Sequence, residues 1–269
     1  MQIHLPKPLI TDPEIQGNLN GTIAGMLVLL SLLASFASFP LQYHQASQLA
    51  ANTDTPLPSY AVLLISSVII GLIVNIIIIA LGLSCSPKAG LGTPLLNSLL
   101  LKNQSGAKIT PLLITSITTG IILGIVLFVL GVSIDNLASI PAPAITRPTP
   151  LQFLLASIGA GLNEEIWLRL GAMTILVFLV MKIPFTQQHR SMAVWIGNIL
   201  AAIIFGLIHL PQAQSLVGLG PVIVVSVLCL NTLGGVVYGW IYWRYGLMMA
   251  MLTHFCTDII LHVVGPAIM

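Results

Sequence analysis

The sequence predicts an all-α polytopic membrane protein, a helical bundle of seven to eight transmembrane helices. Of its 269 residues, 57% are hydrophobic and only 6% charged, with a mean hydropathy of +1.02, far from the average for soluble globular domains. The apolar residues gather in runs near 21–41, 59–83, 111–134, 150–182, 191–210, 216–243 and 246–265, parted by polar or Pro/Gly/Ser/Thr-rich stretches. A span needs about 20 apolar residues, so the chain has room for about seven and little for a soluble domain. A single membrane-embedded domain over 1–269 is expected, with the chemistry-bearing residues in the half from about 150 to 265.

The first run follows about twenty residues that include Asp12 and Glu14, and its apolar core is long, so it reads as an uncleaved span rather than a signal peptide. The stretch 42–58, QYHQASQLAANTDTPLP, reads as a solvated connection. The fourth and sixth runs are unusually long for single spans. The sixth ends in YGWIYWRY, Tyr238 to Tyr245, the composition of an interfacial aromatic belt. Gly235 and Gly239, four apart, are expected to let two helices approach closely.

Given seven spans, Lys7, Lys88, Lys102, Lys108, Lys182, Arg190 and Arg244 fall on one side and only Arg147 on the other. The positive-inside rule then places the N-terminus in the cytoplasm and the C-terminus outside. Cys85, Cys229 and Cys256 have no paired spacing and imply neither a disulfide nor a thiolate metal site. A net charge of +2 with no basic patch leaves no nucleic-acid partner to expect; membrane lipids are the expected surroundings. The compact chain suggests a prokaryotic plasma membrane.

The exceptions to this apolar composition carry the function. Asp12, Glu14, Asp54 and Asp135 sit in tails or loops, but Glu164, Glu165 and Asp258 sit inside apolar runs. A charge at mid-membrane costs about 2.5–3.5 kcal/mol on insertion scales, so such residues face a bundle interior or water and mark function. In LNEEIWLRL, residues 162–170, Glu165 and Arg169 are four apart with the acid first, sharing a face where each neutralises the other. Glu164 points about 100° away on the same helix and is left without a basic partner. Trp167 and the flanking leucines would help keep the setting dry.

Two further runs carry polar groups. The fifth ends FGLIHLP, with His209 one turn after Phe205 and just before Pro211, which ends or bends the helix. The seventh carries THFCTD, in which His254 and Asp258 share a face. A carboxylate beside an imidazole fixes its tautomer and orientation, as catalysis or metal ligation requires; a hydrogen-bonded packing pair is the plainer alternative. Cys256, on the far side of that helix, reads as packing.

Glu164-Glu165-x-x-x-Arg169, Phe205-x-x-x-His209 and His254-x-x-x-Asp258, in this order on three late spans, resemble the three motifs of the CAAX protease and bacteriocin-processing family of intramembrane proteases, which includes the type II CAAX prenyl endopeptidases. The stretch Gly239 to Gly246, GWIYWRYG, looks like the family's approach to its last motif. The resemblance implies hydrolysis of a peptide bond in the bilayer, with Glu164 as the catalytic carboxylate, His209 helping to activate a water, and His254 with Asp258 stabilising the oxyanion. Glu165, Arg169 and Phe205 support them, no cofactor is needed, and substrates are peptides or membrane proteins, including prenylated C-termini.

Amide hydrolysis does need a base for water and donors at the developing oxyanion. Prenyl endopeptidases usually have Asn where this chain has Asp258. An ionised Asp cannot donate to an oxyanion, so Asp258 is either protonated or orients His254. The alternative chemistry is zinc-dependent, with His209, His254 and Glu164 as ligands of Zn2+. Simple span geometry also sets His209 and His254 at different depths. A fifth span that stops inside the membrane at Pro211, or a break in the fourth near Gly159–Gly161, would bring them level.

Two other classes stay open. Intramembrane Glu, His and Asp also build proton-coupled transporters, although those show matching halves and here every membrane-buried charge follows residue 150. The other is a catalytically idle immunity or scaffold protein using this fold, although no motif residue is missing.

Overall fold

The computed structural model describes residues 20–100, 109–138, 140 and 145–268, all helix or connection. Lys7, Asp12, Glu14, Lys102 and Lys108 lie outside these residues. Helix α1 spans Gly21–Thr53, α2 Tyr60–Ala89, the short α3 Pro94–Leu100, and α4 Ile109–Ala138. The fourth apolar run forms α5 (Pro150–Glu165), a π-helical segment (Ile166–Met173) and α6 (Thr174–Val180) without a break between them. There follow the short α7 (Pro184–Gln187), α8 (Arg190–Ile208), α9 (Leu210–Val217), α10 (Pro221–Tyr245) and α11 (Leu247–Asp258). A second π segment (Ile259–Val264) and a 3-10 turn (Gly265–Ala267) end the chain.

Among the described residues six helices are long and apolar enough to cross a membrane, and the Pro150–Val180 rod runs beside them. Helix α2 shows why the molecule needs lipid. Ile65, Ile69, Ile70, Ile73, Ile76 and Ile77 are all exposed, and its main chain is closed by its own hydrogen bonds. This is an all-α integral membrane bundle.

The boundaries have local causes. Asn20 caps α1 by accepting from the Thr22 N–H at 2.8 Å. Thr149 and Gln152 form a reciprocal capping box at the start of α5. Helix α2 ends at Gly90, whose φ of +64 suits a residue without Cβ. The connection expected at 42–58 is instead helical as far as Thr53. Its Gln, Ala and Leu residues are good helix formers, and it is tied to the chain leading into α5 by His44 Nε2 and the Thr146 carbonyl at 2.9 Å.

No break occurs near Gly159–Gly161. These glycines instead admit neighbours: a Cβ at Gly159 would meet the Ala34 carbonyl of α1 at 2.8 Å, and one at Gly161 the Met251 carbonyl of α11 at 3.1 Å. The expected close approach at Gly235 and Gly239 is present. A Cβ on the first would meet Ala202 Cα at 2.9 Å, and one on the second would fall on Asn198 Oδ1, both on α8.

The belt assigned to Tyr238–Tyr245 is corrected: Tyr238, Tyr242 and Tyr245 are 2%, 0% and 0% exposed. Their i, i+4, i+7 spacing puts all three on one face of α10, which turns into the bundle, where Tyr242 Oη bonds Thr174 Oγ1 at 2.8 Å. The basic asymmetry survives in space. Lys88 and Lys182 flank the Phe178 ring, Arg190 bonds the Gly90 carbonyl at 2.7 Å, and Leu247 N–H bonds the Gly92 carbonyl, all at one end. Arg147 lies at the other end, 3.5 Å from the Pro266 carbonyl.

Candidate active site

Three helix termini deliver the polar residues to one place. Glu164 and Glu165 are the last residues of α5, His209 caps the C-terminus of α8, and His254 and Asp258 lie on the last turns of α11. Both acid-bearing helices change from α to π at the residue after the acid, Ile166 after Glu165 and Ile259 after Asp258. A π turn widens the helix and re-aims the side chains that follow, and such turns are frequent at functional sites. In the first one Thr174 Oγ1 reaches back five residues to the Arg169 carbonyl at 2.9 Å.

His254 is the hub, 3% exposed. Its Nδ1 lies 2.9 Å from Glu165 Oε1, while its Nε2 faces Glu164 Oε2 at 3.8 Å and Asp258 Oδ1 at 3.6 Å. The expected Glu165–Arg169 pair is present, with Nε 3.1 Å from Oε2 and both side chains fully enclosed. The contact is ionic rather than a well-aligned hydrogen bond, and Nη1 and Nη2 have no hydrogen-bond partner among the described residues. The guanidinium instead lies 5.4 Å from the Phe205 ring centroid and 5.6 Å from that of Tyr238, a cation–π setting.

Two expectations about the carboxylates change. Glu164 is not isolated, since His254 Nε2 faces it, and it keeps the most open side chain of the three acids, 25% exposed against 11% for Asp258 and 0% for Glu165. The group that hydrogen bonds the His254 ring is Glu165 rather than Asp258. Sequence spacing favours Asp258, four residues away on the same helix, but at 3.6 Å it only approaches the other nitrogen.

His209 reaches the neighbourhood of His254 through Phe205. Helix α8 stops at Ile208, and Pro211 falls in the first turn of α9. The Phe205 ring then stands between the two imidazoles, 4.7 Å from His209 and 5.8 Å from His254, edge-on to both. His209 Nδ1–H donates to the Phe205 carbonyl at 2.7 Å, which leaves Nε2 as an acceptor. The three motifs therefore meet, with His209 beside the cluster rather than bonded into it.

Two contributors were missed in the sequence. Tyr238 stacks on His254, with centroids 4.4 Å apart and planes 14° from parallel. Asn75, in the apolar stretch IVNIIII of α2, is fully buried. Its Oδ1 accepts from Trp167 Nε1 at 2.7 Å and its Nδ2 reaches Asn163 Oδ1 at 3.5 Å. A lone amide in a span this apolar is the signal that could have found it. Asn75→Leu leaves a part-buried indole N–H without its acceptor and is expected to cost about 1 kcal/mol. Unfolding measured in detergent checks this, and an unchanged stability would show that the bond carries nothing.

Zinc ligation by His209, His254 and Glu164 has a geometric requirement, and among the described residues no three His, Cys, Asp or Glu side chains are grouped to hold a metal ion. His254 Nδ1 and His209 Nδ1 are engaged by Glu165 and by the Phe205 carbonyl, which leaves Nε2 of each ring as the nitrogen open to a ligand. His209, His254 and Glu164 are thus not brought together as one ligand set.

Fold and site together define an all-α integral membrane protein with an acid–imidazole cluster enclosed among its late helices. Residues 146–260, which contain every member of that cluster, match the family model described as Type II CAAX prenyl endopeptidase Rce1-like. Over those residues, less than half of the chain, the protein is similar to the endopeptidases that this description names. No curated protein and no solved structure matches the chain.

Proposed function

We propose that the chain is an intramembrane endopeptidase that hydrolyses a peptide bond with a water activated by Glu164. The observation that carries this reading is the division of labour between adjacent acids. Glu165 is enclosed and committed to Arg169 and His254, whereas Glu164 is the acid with an open side chain, 3.8 Å from His254 Nε2.

Glu164 accepts a proton from water, and His209, through its free Nε2, accepts that water's second hydrogen bond and aims it. The hydroxyl oxygen bonds to the scissile carbonyl carbon, and the carbonyl becomes an oxyanion. His254, as an imidazolium among Glu164, Glu165 and Asp258, donates Nδ1–H to Glu165 and Nε2–H to that oxyanion. Asp258 acts as an orienting carboxylate on the Nε2 edge. When the C–N bond breaks, the proton held by Glu164 passes to the leaving amine, so atoms and charge balance.

Peptides ending in a prenylated cysteine motif are the substrate class we infer from the family description. An isoprenoid tail beside the motif would partition into the lipid that surrounds the exposed faces of the helices. The distribution of basic residues supports an N-terminus in the cytoplasm.

The test is cleavage of quenched fluorescent peptides, farnesylated and not, by purified protein in detergent, with and without chelator. Chelator-resistant cleavage that favours farnesylated members is expected. Loss on chelation with recovery in zinc would replace the Glu164 mechanism by a metal-dependent one, and no cleavage of any peptide would overturn the reading.

A further inference from the structure

We propose that Tyr238 is a positioning residue for His254, holding by ring stacking the plane of the imidazole and obstructing its half-turn, so that the ring stays in the orientation its Glu165 bond selects; this rests on the endopeptidase reading. A histidine ring alone on a helix has a broad, roughly two-fold torsion about its Cβ–Cγ bond. A half-turn of the ring exchanges Nδ1 with Cδ2 and Nε2 with Cε1 and sweeps the ring through the space that a face-on neighbour fills, so such a neighbour obstructs it.

Tyr238 supplies that neighbour. Its ring lies 4.4 Å from the imidazole at an interplanar angle of 14°, and the residue is 2% exposed. Its far end lies beside the side chain of Thr257. Thr257 is itself fixed, its hydroxyl reaching the Thr253 carbonyl at 3.0 Å and the Gly120 carbonyl of α4 at 3.1 Å.

The Phe205 edge, 5.8 Å from the imidazole at 83°, closes a second side. With one face covered and one edge closed, rotation of the imidazole requires the Tyr238 ring, itself 2% exposed, to move. The ring is thereby kept with Nδ1 on Glu165 and Nε2 toward Glu164 and Asp258. The groups facing that imidazole are Glu164 and Glu165 from α5 and Asp258 from its own helix. Arg169 lies over the Tyr238 ring, 5.6 Å from its centroid.

The test uses the whole protein in detergent with Tyr238→Leu, which removes the ring, Tyr238→Met, which fills the space if the first variant folds poorly, and Tyr238→Phe, which keeps the stack but loses the hydroxyl beside Thr257. The primary readout is the nitrogen NMR spectrum of the His254 imidazole against pH. The wild type and Tyr238→Phe are expected to show one proton-bearing Nδ1 environment with a single titration. Tyr238→Leu and Tyr238→Met are expected to show a mixture of ring states and a displaced titration.

In the cleavage assay the Leu and Met variants are expected to lose about tenfold in kcat with KM little changed, and to shift the pH profile, while Tyr238→Phe recovers most of the loss. A His254 spectrum and titration unchanged in Tyr238→Leu or Tyr238→Met would overturn the proposal, as would a loss in Tyr238→Phe equal to that in Tyr238→Leu. Because the spectrum is read without substrate, absence of cleavage by the wild type would sink the endopeptidase reading and leave the positioning claim to be decided by NMR.

Discussion

Glu164→Gln is expected to lower peptide cleavage by about 10²–10⁴-fold while leaving the fold intact, the range ordinarily lost with a general base. The amide is nearly isosteric, the side chain is 25% exposed, and its nearest charged neighbour, His254 Nε2, is 3.8 Å away, so the substitution breaks no short contact. The effect should fall on kcat more than on KM, because the acid is proposed to act on water rather than to hold substrate. Glu165→Gln is the necessary comparison. If cleavage survives in Glu164→Gln and is lost in Glu165→Gln with stability unchanged, the two acids exchange roles.

The second large effect concerns stability. Arg169→Met leaves Glu165 charged and enclosed, and Glu165→Leu leaves Arg169 so; each is expected to cost about 3–5 kcal/mol, the penalty for breaking a buried pair by removing one partner. Both side chains are fully enclosed, so solvent offers little relief. The double variant Glu165→Leu/Arg169→Met is expected to regain much of that stability, since a well-packed apolar pair replaces the ions at similar volume. It should not regain cleavage, because His254 Nδ1 would then lack the carboxylate 2.9 Å away. Reversible unfolding in detergent measures the first part and the peptide assay the second. Additive destabilisation in the double variant would show that the two residues act independently.

These predictions depend on features of unequal legibility. Membrane insertion, the helical runs and the identity of Glu164, Glu165, Arg169, His209, His254 and Asp258 follow from cost: in so apolar a chain each polar side chain in a run needs a reason to be there. The Glu165–Arg169 pair follows from helical geometry alone, because residues four apart share a face whatever surrounds them. The helical continuation of α1 through Thr53 was hidden because polar composition separates solvated segments from apolar ones without separating loop from helix.

The sequence by itself determined that this protein lives in a membrane as a helical bundle, and which polar residues its late helices enclose. Both follow from transfer cost and from the fixed period of a helix, which are properties of one segment at a time. Only the tertiary structure decided that Glu165 rather than Asp258 bonds His254, that Tyr238 leaves the expected belt to cover that imidazole, and that Asn75 of α2 braces Trp167. It also decided that α5 and α11 each open into a π turn just past their acids. These depend on how helices are rotated and spaced against one another, a relation between segments distant in the chain that no local pattern of residues records.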